Sequence, residues 1–305
     1  MRQIIIASVH SSKCTKNRKI TLYNFSLLKY NADINNIPPI LKGWYIMKKL
    51  FAMLLALLLI LSCFAACAAE PKTDSEYVKK NGKLIVGITD YEPMDYKDEN
   101  GEWTGFDAEF ARLFAKELGV EVEFFVIADW NKKVFELDSK NIDCIWNGMT
   151  INEELLKTTN CSDPYVVNAQ VVVMKADVVA NYADAASLKD LTVAVESGST
   201  GEKAAQAAGI EDLVATQDMA KALMEVKAGT ADACVIDITM ANAMTGEGTD
   251  YADLAVGISL ESEEYGVGFR KESDLTAMFN AFKDKLIADG TLDVLAEKYG
   301  LTLVK

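Results

Sequence analysis

Histidine is almost absent from this chain. The only one, His10, lies near the N-terminus, so residues 67–305, which we call the body, contain none. Catalysis by Ser-His-Asp or Cys-His groups depends on an imidazole base, and histidine is a common zinc ligand. The lack of histidine therefore excludes these catalytic groups and histidine-ligated zinc from the body.

Positive charge is also scarce in the body. Residues 67–305 carry 22 of the 31 basic side chains but 44 of the 45 acidic ones, which gives a net charge of −22. A surface of this charge repels the phosphate backbone, so nucleic acid is excluded as a partner. The 305 residues are enough for about two domains.

The segment 47–69 has the pattern of a bacterial export signal. Two lysines precede an unbroken apolar run, Leu50 to Leu61, which ends in small residues and cysteines. Phe64 to Cys67 resembles the lipobox of bacterial lipoproteins, where the chain is cut before a cysteine that then carries diacylglycerol. We therefore expect a lipoprotein signal peptide at 47–66 and lipidation of Cys67. A cut before Cys63 or an uncleaved membrane helix of 20 residues is the alternative.

The segments on either side of this signal are expected to lie outside the fold. Residues 1–46 have scattered charge and no clear amphipathic period. We interpret them as an extension from a start codon assigned too far upstream, with Met47 as the true initiator. Residues 67–82 are mostly polar and are expected to form a lipidated tether.

Two units of alternating strands and helices follow the tether. Strands are predicted at 83–89, 120–127, 142–146, 191–195, 233–236 and 265–269. Helices are predicted at 106–118, 131–139, 200–208, 219–228, 273–289 and 291–299. This alternation predicts parallel sheets covered by helices, arranged as two lobes with a cleft between them. Because ligands bind beyond the carboxyl ends of such strands, the site is expected in the loops after residues 89, 127, 146, 196 and 236.

These loops contain groups that suit a small zwitterion. Ser199 and Thr200 precede a helix, where hydroxyls and free N–H groups can hold a carboxylate. Asp237 ends a strand and suits an ammonium group. Each residue alone also has a structural interpretation, as a helix cap or, for Trp130 and Trp146, as part of the core.

Several motifs resemble, in order, those of the extracellular solute-binding proteins of amino-acid ABC importers. They are Tyr91-Glu92-Pro93 with Thr104–Asp107, the stretch 143–165, Gly198-Ser199-Thr200, the stretch 229–237, Gly266–Arg270 and the stretch 289–300. The resemblance covers about residues 75–303. It implies an α/β, two-lobed periplasmic-binding-protein-like fold of type II, each lobe a mostly parallel sheet flanked by helices, with a two-segment hinge. Lobe I would comprise 83–169 plus 264–305, and lobe II 170–263.

The same resemblance implies a function. The protein would capture a polar amino acid by hinge closure and deliver it to the membrane subunits of an ABC permease, as a lipid-anchored monomer outside the cell membrane. It would need no cofactor or metal. The implied ligand-binding residues are Asp90, Tyr91, Met94, Trp130, Asn147, Gly148, Thr150, Ser199, Thr200 and Asp237.

The resemblance also assigns roles to these residues. Tyr91 would stack on the ligand side chain, with Met94 and Trp130 in the same pocket. Gly148 and Asp237 would hold the ammonium. Thr150, with Ser199 and Thr200, would hold the carboxylate. Acids beside Tyr91, namely Asp90, Glu92 and Asp95, indicate a cationic or hydrogen-bonding ligand side chain, or else solvated loop charges.

One departure from the family pattern affects the ligand. The family places an arginine, which clamps the ligand carboxylate, where this chain has Leu155. Lys157 would lie nearly opposite on a helix, so it is a poor substitute. Either hydroxyls, N–H groups and a lysine hold the carboxylate, or the ligand is not an α-amino acid. A cleft enzyme similar to cyclohexadienyl dehydratase, with Glu92, Asp95 or Glu196 as a general acid, is a further alternative.

Three cysteines remain in the body once Cys67 is lipidated. They are Cys144, Cys161 and Cys234, so at least one is unpaired. Cys144 and Cys161 flank the predicted binding-loop helix, and a disulfide between them is one interpretation. The other is that Cys144 and Cys234 are small core residues within strands.

Overall fold

The computed structural model describes residues 71–304 and eight separate positions between Gly43 and Leu54. Cys67 and nearly all of the predicted extension and signal peptide lie outside the described residues. Residues 1–69 and 70–305 form separate units, and the fold below is that of the second. Within the described part of the chain, no helix has both the length and the apolar composition that a membrane span requires.

The first lobe is built around a five-stranded sheet. Its strands are β1 (Lys83–Ile88), β4 (Glu121–Val126), β5 (Cys144–Ile145), β6 (Asn160–Cys161) and β12 (Gly268–Phe269), in the order β4-β1-β5-β12-β6. A short hairpin of β2 (Tyr96–Lys97) and β3 (Trp103–Thr104) lies beside it. The helices are α1 (Asp74–Asn81), α2 (Phe106–Leu118), α3 (Lys133–Asp138), α4 (Glu153–Thr158), α8 (Leu275–Ala288) and α9 (Thr291–Lys298). β1 pairs in parallel with β4 and β5, whereas β12 is antiparallel to β5 and β6.

The second lobe has a sheet of the same size. Its strands are β7 (Val166–Lys175), β8 (Val193–Glu196), β9 (Leu213–Thr216), β10 (Ala233–Asp237) and β11 (Leu254–Tyr265), in the order β11-β7-β10-β8-β9. Its helices are α5 (Thr200–Ala207), α6 (Met219–Ala228) and α7 (Ile238–Met244). β8 pairs in parallel with β9 and β10, and β7 is antiparallel to β10 and β11.

The two long strands β7 and β11 connect the lobes. They are antiparallel to each other, from the Val166–Tyr265 pair to the Lys175–Leu254 pair. Tyr265 also forms a bridge with Thr150 of the first lobe. The two-lobed α/β fold with a two-segment hinge is thus confirmed. Each sheet is mixed rather than mostly parallel, which corrects the expectation: two strand pairs are parallel and two are antiparallel in each, because the chain crosses between the lobes twice and each crossing adds antiparallel pairs. The lobe boundaries at 169/170 and 263/264 fall inside these strands and stay a prediction.

The helices predicted from periodicity form because their signals are local. In α2, Phe106, Phe110 and Phe114 are buried at helical spacing, and Gly119 ends the helix with a φ of 76°. In α6, the Asp218 side chain caps the N-terminus, and Gly229 ends the helix with a φ of 77°. Both helices have the predicted bounds.

The predicted tether is helical in its second half, which is a correction. Asp74–Asn81 forms α1, and Val78 is fully buried against the first lobe. Asp74 also forms an ion pair with Arg270, at 3.0 Å between carboxylate and guanidinium. The polar composition concealed this helix because Val78 is its only fully buried apolar residue, and polar contacts, the ion pair of Asp74 and the hydrogen bonds of Ser75 to Asp274, also attach it to the lobe.

The proposed disulfide between Cys144 and Cys161 is wrong, because Cys144, Cys161 and Cys234, the cysteines of the described residues, are free thiols. Cys144 lies on β5 and Cys161 on β6, and β12 pairs with both strands from between them. Adjacent strands are about 4.8 Å apart, so strands on either side of a third are about 10 Å apart. A disulfide requires Cα atoms within about 7 Å. Cys144 and Cys234 are fully buried in strands, as the second interpretation expected.

The first lobe contains a buried pair of carboxyl groups, Asp95 and Asp107, both fully buried. Asp107 accepts hydrogen bonds from the Gly148 N–H at 2.6 Å and from the Tyr165 hydroxyl. Neither side-chain oxygen of Asp95 has a hydrogen-bond partner among the described residues. Burial, reinforced by the neighbouring Asp107, raises the pKa of Asp95 well above its usual value.

Asp95→Asn is expected to stabilise the fold at neutral pH. Since the pKa of Asp95 is higher in the folded state, the wild type loses stability as pH rises above the unfolded value near 4. The variant should gain about 1–3 kcal/mol at pH 7.5 and little at pH 4, measurable by calorimetric melting at both pH values. Asp98→Asn is the control. It should lower the stability at neutral pH rather than raise it, because backbone N–H groups lower the pKa of that exposed carboxylate. An equal gain from Asp95→Asn at both pH values would contradict this explanation.

Candidate ligand-binding site

A cavity of about 370 Å³ lies between the two lobes, at the carboxyl ends of their strands. Four of the five predicted loops contribute to it, namely those after β4, β5, β8 and β10. Helix α4 and the N-terminal part of α5 complete its wall. The volume is at the small end of the range for ligand pockets, which suits one small molecule.

Seven of the ten predicted site residues line this cavity. They are Trp130, Asn147, Gly148, Thr150, Ser199, Thr200 and Asp237. Asp90, Tyr91 and Met94 do not line it. A tight turn, in which the Tyr91 N–H donates to the Asp95 carbonyl at 2.7 Å, directs Tyr91 and Met94 into the core and leaves Asp90 exposed.

Tyr91 lies beneath the cavity and forms part of a buried hydroxyl cluster. It is fully buried, and its hydroxyl hydrogen-bonds with those of Thr239 and Tyr265. Thr239 belongs to α7 in the second lobe, so this cluster joins the lobes. In this conformation Tyr91 is a contact between lobes rather than a surface on which a ligand side chain could stack.

Ser199 and Thr200 open the helix α5 onto the cavity. Ser199 is the N-cap, and its hydroxyl accepts from the Glu202 N–H at 3.1 Å. The first turn of a helix presents further N–H groups without intrahelical partners and the positive end of the helix dipole. This end of the cavity therefore favours an anion.

Asp237 presents a buried carboxylate to the cavity from the end of β10, the strand next to β8. It occupies the N-cap position of α7, but its side chain makes no capping hydrogen bond. It is 5% exposed and accepts from the Gln170 side-chain amide. Burial raises its pKa, and hydrogen bonds oppose the shift. The helix-cap interpretation of Asp237 therefore does not hold, and the carboxylate is available to a cationic group.

Two more acids lie near Asp237, one buried, Glu196, and one partly buried, Glu263. Glu196, the last residue of β8, lines the cavity, and burial together with the charge of Asp237 raises its pKa to about 8. Burial and Asp237 likewise raise the pKa of Glu263 to about 8. Glu263 accepts from Thr150 at 2.9 Å and from the Gln170 amide at 2.8 Å. The single hydroxyl proton of Thr150 is thereby directed at Glu263 in this conformation, so Thr150 presents an acceptor to the cavity.

A lysine that sequence reasoning did not single out lines the same cavity. Lys133, the first residue of α3, donates to the Trp130 carbonyl at 3.2 Å and the Gly198 carbonyl at 3.3 Å. Burial lowers its pKa to about 8, and Glu196 partly offsets the shift. Lys132 beside it is exposed and pairs with Asp129. The one signal for Lys133 in the sequence is its position shortly after the aromatic Trp130, in a loop at the end of a strand.

Leu155 is buried in the cavity wall and packs with Trp130 and Leu137. Both arginines of the described residues are engaged elsewhere. Arg270 donates to Asp143 and to the carbonyls of Leu137 and Ile142, and Arg112 donates to the Trp103 carbonyl. No guanidinium of the described part of the chain therefore lines the cavity.

The lobes touch each other around the cavity, so the conformation is closed. The Asn131 amide donates to the Ser197 hydroxyl at 3.0 Å, and Lys203 of α5 forms an ion pair with Glu154 of α4. Gly198 lies so close to Asn131 that an added Cβ would be 2.2 Å from its side-chain oxygen. Small residues at this contact permit the close approach.

Comparison with known proteins agrees with this architecture. Residues 84–302 match the family model of bacterial extracellular solute-binding proteins, family 3. The arginine-binding extracellular protein ArtP of Bacillus subtilis (strain 168) is 32% identical over 256 residues, which cover 80% of this chain and 96% of ArtP.

Two solved structures have similar folds. A mutant of ArgBP from T. maritima matches with a TM-score of 0.69 and 36% identity, over 74% of this chain and 98% of ArgBP. The ancestral amino acid-binding protein AncCDT-1, a precursor of cyclohexadienyl dehydratase, matches with a TM-score of 0.68 and 34% identity, over 74% and 98% of the two chains. The family match covers more than two thirds of the sequence, including both lobes and every wall of the cavity. The chain therefore belongs to the bacterial extracellular solute-binding proteins of family 3.

Proposed function

We propose that this protein captures one amino acid between its lobes outside the cell membrane and delivers it to an ABC permease. The observation that carries the proposal is the closed cavity, which is lined by a buried carboxylate, Asp237, together with a helix N-terminus and Lys133. An α-amino acid has an ammonium and a carboxylate on one carbon, which matches this pairing. The names of similar proteins, which refer to binding of arginine, cystine and glutamine, support the same ligand class.

Each charged group of the ligand has a proposed set of partners. Asp237 and the Gly148 carbonyl would hold the ammonium, and Asn147 would support that loop through its hydrogen bond to the Thr89 N–H at 2.9 Å. Ser199, Thr200 and the Lys133 ammonium would hold the carboxylate. Lys133 thus supplies the positive charge that is missing at Leu155. Thr150 accepts from the ammonium rather than donating to the carboxylate.

The proposal includes attachment to the membrane. Lipidation at Cys67 would tether the body to the outer face of the cell membrane, and α1 would separate the lipidated residue from the first lobe. The closed, liganded monomer is the form that the permease would recognise, because closure changes the relative position of the two lobe surfaces. Metabolic labelling with palmitate, compared between wild type and Cys67→Ala, tests the lipid anchor.

A thermal-shift panel of the purified protein tests the ligand class. The panel contains the common amino acids, di- and tricarboxylates and polyamines. A ligand at a hundredfold excess over its dissociation constant adds about 2.7 kcal/mol of stability, which raises the melting temperature by several degrees. A shift with an amino acid is expected. Shifts with carboxylates alone, or with nothing in the panel, would contradict the proposal.

Closure of the lobes can be tested at Gly198. Gly198→Ala should weaken ligand binding about tenfold, because its methyl group would collide with Asn131 across the cavity entrance. Gly229→Ala is the matched control, since Gly229 has the same φ within one degree and nothing within 4 Å of an added Cβ. Calorimetric titration should show wild-type affinity for the control. Asn131→Ala should restore binding to Gly198→Ala, and failure to do so would mean that the collision is not the cause.

A second candidate function is catalysis in the same cleft, as AncCDT-1 is a precursor of an enzyme. Of the three acids considered, Glu92, Asp95 and Glu196, only Glu196 lines the cavity. Its raised pKa would keep it protonated at neutral pH, as a general acid requires. We propose binding without turnover. Recovery of the bound ligand unchanged after overnight incubation is the expected result, and its conversion would favour the enzyme.

A further inference from the structure

Glu196 is a buried acid that the fold does not use. It is 3% exposed, and its Oε1 has no hydrogen-bond partner among the described residues. Buried polar groups are almost always hydrogen-bonded, and a buried carboxyl without a partner costs free energy. Because Glu196 lines the cavity, the group that pairs with it can come from a bound solute.

The remaining acids around the cavity are already matched with partners. The amino-acid binding proposed above uses Asp237 for the α-ammonium. Glu263 accepts through its Oε1 from the side chains of Thr150, Asn168 and Gln170, and although its Oε2 has no partner among the described residues, Glu263 does not line the cavity. Glu154 and Glu202 accept from Lys203 and from the Gly198 N–H. Glu196 is therefore left over once a ligand with a single ammonium is bound.

The surroundings of Glu196 favour a cation over a neutral polar group. The charged groups that face it are Asp237 at the end of β10, Asp218 before α6 and Lys133 on α3. Asp237 adds negative potential that attracts a positive group and gives nothing to a neutral amide, whereas Asp218 is already paired with Lys221. Lys133 is directed towards the carbonyls of Trp130 and Gly198, and no arginine of the described residues lines the cavity. β8 and β10 are adjacent and parallel, so Glu196 and Asp237 reach the cavity from neighbouring strand ends.

We infer that Glu196 is a second cation site in the cavity and that the solute has two positive groups, as basic amino acids and diamines do. This inference rests on the proposed function for the position of the first ammonium. Glu196 takes the place of Asp90, Glu92 and Asp95, the acids that the sequence indicated as partners of a cationic side chain, because none of those three lines the cavity. Neutral amino acids of the same shape are then poor ligands because Glu196 stays unpaired.

The test compares ligands that differ only in charge. Arginine and citrulline have nearly the same shape, as do lysine and norleucine, and calorimetric titration gives the affinity of each. Arginine is expected to bind at least thirtyfold more tightly than citrulline. In Glu196→Gln, arginine should lose at least tenfold in affinity and citrulline less than threefold. Glu211→Gln is the matched control, because Glu211 is exposed and does not line the cavity. Putrescine distinguishes diamines from amino acids.

The pH dependence gives a second readout. A cation beside Glu196 favours its ionised form, so binding below pH 8 must release a proton. The ratio of arginine to citrulline affinity should therefore rise from pH 6 to pH 8 in the wild type and stay flat in Glu196→Gln. Any contribution of Lys133 cancels in this ratio, because both ligands have the same carboxylate.

Three outcomes overturn the inference in distinguishable ways. Citrulline or norleucine binding as tightly as its charged counterpart would remove the second cation site but leave amino-acid capture intact. An equal loss of arginine and citrulline in Glu196→Gln would mean that Glu196 shares the α-ammonium with Asp237. Absence of binding by every ligand tested would overturn both the inference and the proposed function.

Discussion

Asp237→Asn is expected to weaken binding of any amino acid ligand at least about thirtyfold. Asp237 is 5% exposed, so its ion pair with the ligand ammonium forms in a site with little water. Removing one member of a buried, hydrogen-bonded charge pair costs about 2–5 kcal/mol. Asparagine keeps the shape and removes only the charge. Calorimetric titration with the ligand chosen by the thermal-shift panel measures the loss.

The same variant separates binding from stability. Burial raises the pKa of Asp237 in the ligand-free protein, so ionising this carboxyl opposes folding above the usual aspartate pKa. The ligand-free Asp237→Asn variant should therefore melt no lower than the wild type at pH 7.5. Asp190→Asn, at an exposed loop position, should change neither the ligand affinity nor the melting temperature. Affinity within threefold of wild type in Asp237→Asn would show that Asp237 does not hold the ammonium.

Lys133→Met is expected to weaken binding of arginine by about ten- to a hundredfold. A hydrogen bond between ammonium and carboxylate contributes about 1.5–3 kcal/mol, and methionine keeps most of the length of the lysine stem. Lys133 reaches the cavity from the end of α3 that faces Gly198, next to the N-terminus of α5. Agmatine, which is arginine without the carboxylate, should bind the variant as well as the wild type or better.

Lys132→Met is a matched control for this effect. Lys132 is the adjacent residue, but its side chain is 63% exposed and pairs with Asp129. Lys132→Met changes the net charge by the same amount as Lys133→Met and should leave the arginine affinity within twofold of the wild type. The pKa of Lys133 is lowered to about 8 by burial. Arginine affinity of the wild type should consequently fall as pH rises well above 8, and this fall should be smaller in Lys133→Met, where only the ligand ammonium still loses its proton. An equal loss for arginine and agmatine would mean that Lys133 acts through packing.

Most of the fold could be predicted because its signals are local. The apolar spacing of α2, the Asp218 cap and the Gly229 end of α6, and the buried run of β1 are determined by the segments themselves. The valine-rich β7 has a local strand signal that the prediction did not use, whereas β11 was missed for a different reason. β11 is rich in acidic and small residues, so it forms a strand only because β7 pairs with it over its length. Such non-local pairing overrides weak local preference.

The site was predictable where a residue follows directly from a strand end. Asn147, Ser199 and Asp237 are fixed in that way, and all three line the cavity. Tyr91 could not be placed from its loop, because the tight turn to Asp95 directs it inward. The charges of Lys133 and Glu196 gain their importance from burial between the lobes, which no single segment encodes.

The central claim is that one amino acid binds in the cavity between the lobes, with its ammonium on Asp237. A crystal structure with the amino acid that gives the largest thermal shift tests it most directly. The ammonium is expected within about 3 Å of the Asp237 carboxylate, and the carboxylate within hydrogen-bond distance of Ser199 and Lys133. A ligand bound outside this cavity, or with its ammonium directed away from Asp237, would contradict the claim.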